Sequence, residues 1–112
     1  KGDKMELKTV KYNYCNLVSN KQDIQKFKEE ISVSNIIYLF YNNSECLYIG
    51  ETGTSLNDRC YKHTPKESDK PWFKEGNLIH IIKLDEKIDI IARQALESSF
   101  ILAYRPKYNK KG

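Results

Sequence analysis

Runs of β-forming apolar residues stand out from an otherwise polar chain. Asn35–Tyr41 (NIIYLFY) is almost continuously apolar, which suits a central strand covered on both faces. Asn42, Asn43 and Ser44 form a turn, and Cys46–Ile49 returns as the partner strand. Leu78–Leu84 (LIHIIKL) predicts another buried strand. Residues 7–17 alternate loosely around Val10, Tyr12, Tyr14 and Leu17 and read as a weaker one.

Helical spacing takes over elsewhere. Ser19 or Asn20 can cap a helix over Gln22–Ile31, whose Ile24, Phe27 and Ile31 share one face. After the Gly50–Gly53 loop, Ser55 and Asp58 resemble a capping box for a helix reaching His63, where Thr64 and Pro65 stop it. Lys66–Asn77 is polar apart from Trp72 and Phe73 and reads as a loop with a helical turn after Pro71. Asp89–Tyr104 is the long helix, ended by Pro106. This order predicts an α/β domain of the α+β type, with a small, mainly antiparallel sheet of three to four strands flanked by helices. A chain of 112 residues holds one core. Residues 1–33 are expected to form an N-terminal extension, carrying a strand and a helix, packed on a domain spanning 34–112.

Composition narrows the function by exclusion. A net charge of +4 permits contact with a polyanion without pointing to one. No apolar run approaches the roughly 20 residues of a membrane span, and no signal-peptide pattern opens the chain, so a cytoplasmic protein is expected. Cys15, Cys46 and Cys60 are an odd set without a CxxC pair, which reads as free thiols. Cys46, Cys60 and His63 lack the paired spacing and fourth ligand of a zinc site. The Gly50–Gly53 loop has no following GK[ST] and is not a nucleotide-binding loop.

Candidate chemistry begins at the hairpin. A three-residue turn centred on Asn43 sets Tyr38 directly opposite Tyr48, two phenols side by side; a two-residue turn would shift the register and break that pairing. Arg59 and His63, four residues apart, share a helix face and suit a phosphate, one as bidentate clamp and the other as proton carrier. Glu97, in the run ALESSFILAY, is a carboxylate that needs a cation. A hard divalent ion with one protein carboxylate would serve, and so would Arg93.

These residues resemble the GIY-YIG nucleases. Ile36-Ile37-Tyr38 is followed ten residues later by Tyr48-Ile49-Gly50, then by Arg59, His63, a helical Glu97 and Asn109 after Pro106. That family includes intron-encoded homing endonucleases, the nuclease domain of the bacterial excision-repair incision subunit and some restriction enzymes. The resemblance runs over residues 35–109. It implies a metal-dependent endonuclease hydrolysing phosphodiester bonds in DNA with one Mg²⁺ or Mn²⁺ ion. Tyr38, Tyr48, Arg59, His63 and Glu97 would be catalytic, with Glu97 the metal ligand. Gly50 and Asn109 would contact substrate, with Lys62 and Lys107 alongside its backbone. DNA is the implied partner, a targeting domain or partner protein the implied source of specificity, and no membrane is involved. Two positions depart from the family pattern: Ile36 replaces the first motif glycine, and Glu51 stands where many members carry lysine.

Singly, each residue has a plainer reading. Strand tyrosines pack cores, a helical arginine is solvated, and a helical glutamate pairs with a neighbour such as Arg93. The alternatives to a nuclease are a nucleic-acid-binding module that needs a partner for cleavage, and a catalytically inert domain.

Overall fold

The sheet is built from β1 (Lys8–Asn13), β2 (Ile36–Asn42), β3 (Glu45–Thr52) and β4 (Leu78–Lys83). The strand order is β1-β4-β2-β3 with every neighbouring pair antiparallel. The computed structural model describes residues 8–13 (backbone only), 25, 28–29, 31–62 and 66–109. β2 lies at the centre, and its residues Ile36 through Phe40 are all buried, as its unbroken apolar run requires. The predicted first strand appears as β1, paired to β4, while 14–17 lie outside the described residues. Most of the predicted Gln22–Ile31 helix lies outside them too, although Ile31 is buried in the core.

Alternation along the strands makes two cores. On one face Ile36, Tyr38, Phe40, Ile79 and Ile81 pack with Leu56 and Cys60, covered by Trp72 and Phe73 of a short helix, α1 (Pro71–Glu75). On the other, Ile37, Leu39, Ile49 and Ile82 meet Leu96, Phe100 and Ile101 of the long helix α2 (Ile90–Tyr104). Asp89 caps α2 by accepting from the Ala92 N–H at 2.9 Å, and Arg105 leaves the helix in a left-handed conformation (φ 48°) directly before Pro106. Among the described residues no helix is long and apolar enough to cross a membrane.

The hairpin corrects the expected register. The turn has two residues, Asn43 and Ser44, with Asn42 facing Glu45 and Tyr41 facing Cys46. Beyond a bulge between Phe40 and Tyr41, Phe40 faces Tyr48 and Tyr38 faces Gly50, so the tyrosines are not directly opposed. The bulge inserts Leu47 as the extra residue, and both Leu47 and Tyr48 then join the Tyr38 core. A two-residue turn alone would have sent Tyr38 and Tyr48 to opposite faces. The added residue restores their parity, and they become diagonal neighbours with ring centroids 6.4 Å apart.

Beyond β3 the chain returns along its outer edge. The Lys107 and Tyr108 N–H groups donate to the carbonyls of Cys46 and Leu47 at 3.1 and 2.8 Å. Asn109 then doubles as a strand partner: its amide accepts from the Ile49 N–H at 2.7 Å and donates to the Ile49 carbonyl at 2.9 Å.

Candidate active site

Register explains Gly50. With Tyr38 opposite it, the ring lies over the glycine, and a Cβ there would stand 2.4 Å from the ring's Cζ and Oη. The space beside the glycine Cα is filled by the protein's own tyrosine. Gly50→Ala should therefore push Tyr38 out of place and cost about 1–3 kcal/mol, read as a lowered thermal midpoint. A midpoint equal to wild type would show that the ring can yield.

Tyr38 is a fully buried phenol (1 % exposed) with both of its polar functions engaged. Its hydroxyl donates to Glu67 Oε2 at 3.0 Å, and the Arg59 guanidinium acts favourably on the phenol oxygen. Burial, then the Glu67 and Tyr48 charges, hold its pKa well above 10, with Arg59 pulling the other way. Arg59 is exposed and sits in a π-type helical turn, Asp58–Lys62, that Ser55 opens by accepting from the Asp58 N–H at 3.1 Å. Burial works against the Arg59 charge, but Tyr38, Glu67 and Tyr48 outweigh it and raise its pKa.

Tyr48 is only half-buried. Its ring stacks on Trp72 at 4.0 Å and 6°, and Trp72 leans on Tyr108 at 5.8 Å. Burial first, then the charges of Glu67 and Glu97, push Tyr48 up to about 12, with Glu51 adding and Arg59 subtracting. Tyr48 thus feels charges brought from different elements, Glu67 the most strongly. Because its folded-state pKa lies above the unfolded value near 10, the associated stability is complete below pH 10 and is lost as pH rises through about 12. Between those limits the thermal midpoint should fall more steeply for wild type than for Tyr48→Phe. Parallel curves would remove Tyr48 from the account of alkaline unfolding.

Glu67 was not visible in the sequence, where it sits in a polar stretch that reads as solvated loop. It is 5 % exposed and accepts from the Trp72 indole N–H at 2.6 Å as well as from Tyr38. The only local signal is an indole five residues downstream, which a helical turn after Pro71 brings back over the carboxylate.

Lys62 is exposed and 3.7 Å from Asp58, Lys107 is exposed and 3.0 Å from Glu75, and Asn109 is bonded to the Ile49 backbone. His63 lies outside the described residues. Arg93, which could have neutralised Glu97, is buried and forms its ion pair with Glu51 instead, and it donates to Asn35 Oδ1 at 2.9 Å. Ile36, at the position of the missing motif glycine, is a fully buried core residue. Among the described residues no three His, Cys, Asp or Glu side chains gather around a common point.

The profile of the GIY-YIG catalytic domain matches residues 34–109. The chain belongs to the GIY-YIG catalytic domain family. Among solved structures it is similar to the GIY-YIG N-terminal endonuclease domain of UvrC from Thermotoga maritima. A point mutant of that domain bound to its catalytic divalent cation shares 25% identity and a TM-score of 0.61, over 82% of this chain and 100% of that one. The same domain bound to magnesium shares 27% identity and a TM-score of 0.53, over 77% of this chain and 98% of that one. A comparison with curated protein sequences finds no significant match. A GIY-YIG domain accounts for the α+β sheet, and the expected motif tyrosines lie on its β2–β3 hairpin.

Proposed function

We propose that this GIY-YIG domain is a metal-dependent endonuclease that hydrolyses phosphodiester bonds in DNA, acting through Tyr48, Arg59 and Glu97. What supports this reading is the family of the domain together with the two motif tyrosines, whose rings lie 6.4 Å apart on the sheet face that the Arg59 turn covers through Cys60. Exposure separates the tyrosines: Tyr48 can meet a water or a phosphate, whereas Tyr38 is enclosed and committed to Glu67 and Arg59. Arg59 offers several N–H donors to a phosphate from an exposed position and balances charge developing on it. His63, four residues on, is proposed as proton carrier.

The donor set fits Mg²⁺ or Mn²⁺ as a one-carboxylate site on Glu97, completed by water and phosphate oxygens, and does not fit a cage made of protein alone. Such an ion supplies Lewis-acid charge at the phosphate. The UvrC domain's own catalytic cation supports this assignment. Residues 1–33 are proposed as an extension of the 34–112 domain, joined to it through β1. Free Cys46 and Cys60 agree with a cytoplasmic setting. A domain of this size offers little surface for sequence readout, so specificity is assigned to a further domain or a partner protein.

The test is nicking of supercoiled plasmid by the folded protein with Mg²⁺, Mn²⁺ or EDTA. Cation-dependent nicking is the expected result. DNA binding without cutting under every condition would assign the chain to the nucleic-acid-binding modules.

A further inference from the structure

A buried carboxylate is costly unless its neighbourhood compensates it, and nothing in a surface turn requires one. Glu67 is nevertheless buried, and its two oxygens meet two neutral donors, the Tyr38 hydroxyl and the Trp72 indole. A phenol has one proton. Because Tyr38 gives that proton to Glu67, its oxygen is left with lone pairs only, which a cation such as Arg59 favours. The second carboxylate oxygen holds the Trp72 indole, and the plane of that ring is the one Tyr48 stacks on. Ser68, the next residue, donates to the Cys60 carbonyl at 2.7 Å, so the turn bearing Glu67 is also tied to the turn bearing Arg59.

We propose that Glu67 is a positioning residue for phosphodiester hydrolysis, one carboxylate that orients Arg59 through Tyr38 and Tyr48 through Trp72. The proposal rests on the nuclease reading and adds to it a group outside the motif residues. Glu67 does not touch the phosphate. It keeps a long, exposed arginine and a half-buried phenol from sampling other rotamers, so less ordering is required when substrate arrives.

Glu67→Gln separates orientation from packing, since the amide fills the same volume but can accept strongly from only one of the two donors. Three readouts are needed: DNA affinity in Ca²⁺, single-turnover nicking in Mg²⁺, and the near-ultraviolet dichroism of Trp72, the only tryptophan in the chain. Affinity should stay close to wild type, nicking should slow on the order of 10- to 100-fold, and the Trp72 signal should change. In the double variant Glu67→Gln/Tyr38→Phe, nicking should be no slower than in the slower single variant, because the two groups act as one unit. Multiplying effects would mean that Glu67 merely supports the fold, and a wild-type rate in Glu67→Gln would overturn the proposal outright. Should Glu67→Gln fail to fold, Trp72→Phe breaks one arm while keeping a ring on Tyr48, and a wild-type nicking rate there overturns the Tyr48 arm. A wild type that never cuts overturns the nuclease reading, and this proposal with it; a wild type that cuts beside an equally fast Glu67→Gln overturns only the positioning role.

Discussion

Arg59→Ala should fold and bind DNA yet nick plasmid on the order of 10²- to 10³-fold more slowly than wild type, the loss typical of removing one charge-stabilising donor. Arg59 is exposed, so truncation opens no cavity, and Tyr38 keeps its bond to Glu67. What disappears is a cation whose influence reaches both motif tyrosines. Glu97→Gln should match or exceed this loss and should abolish the response to Mg²⁺, because an amide of the same shape is a poor ligand for a hard cation. Single-turnover nicking over a Mg²⁺ titration reads both variants. An Arg59→Ala rate equal to wild type would detach the guanidinium from the chemistry, and a preserved Mg²⁺ response in Glu97→Gln would place the cation elsewhere.

Glu51→Lys should damage this protein. The Glu51 and Arg93 side chains are 17% and 9% exposed and form a close pair, and Gly53 lies against the same guanidinium, where a Cβ would stand 2.9 Å from Nη2. A lysine at 51 would set two cations against each other in an enclosed space. Breaking a buried pair typically costs about 3–5 kcal/mol, a large part of the roughly 5–15 kcal/mol that holds a domain together. Urea unfolding should show that loss, and Glu51→Lys combined with Arg93→Glu should recover part of it. Recovery cannot be complete, since Arg93 also donates to Asn35. A Glu51→Lys protein of wild-type stability would show that Arg93 finds another acceptor.

The two departures from the family pattern thus have local explanations. Ile36 fills the core of β2, and Glu51 answers Arg93. Glu51 and Arg93 form one enclosed pair, and the sequence does not reveal it because the partners lie 42 positions apart.

The strands were legible because their signal is local: continuous apolar runs at 35–41 and 78–84, and an Asn- and Ser-rich turn between the first run and its partner strand. α2 was legible from its Asp89 cap and Pro106 stop. The hairpin register was not, because a bulge at Leu47 has no sequence mark distinguishing it from ordinary pairing. The contact of Gly50 with the Tyr38 ring follows from the same register and has no local mark either. Glu67 escaped because a carboxylate among Lys, Ser and Asp looks solvated, and its burial depends on Tyr38, nearly thirty residues away.

The strap formed by Lys107, Tyr108 and Asn109 also bears on how the protein behaves in a crowded solution. A sheet edge with unused N–H and C=O groups is a template for a strand from another molecule. By occupying the backbone of Cys46, Leu47 and Ile49, the strap removes that template from the strand that carries Tyr48. The same few residues that steady the motif strand therefore guard it against edge-to-edge aggregation, and losing them would be felt first as lost solubility.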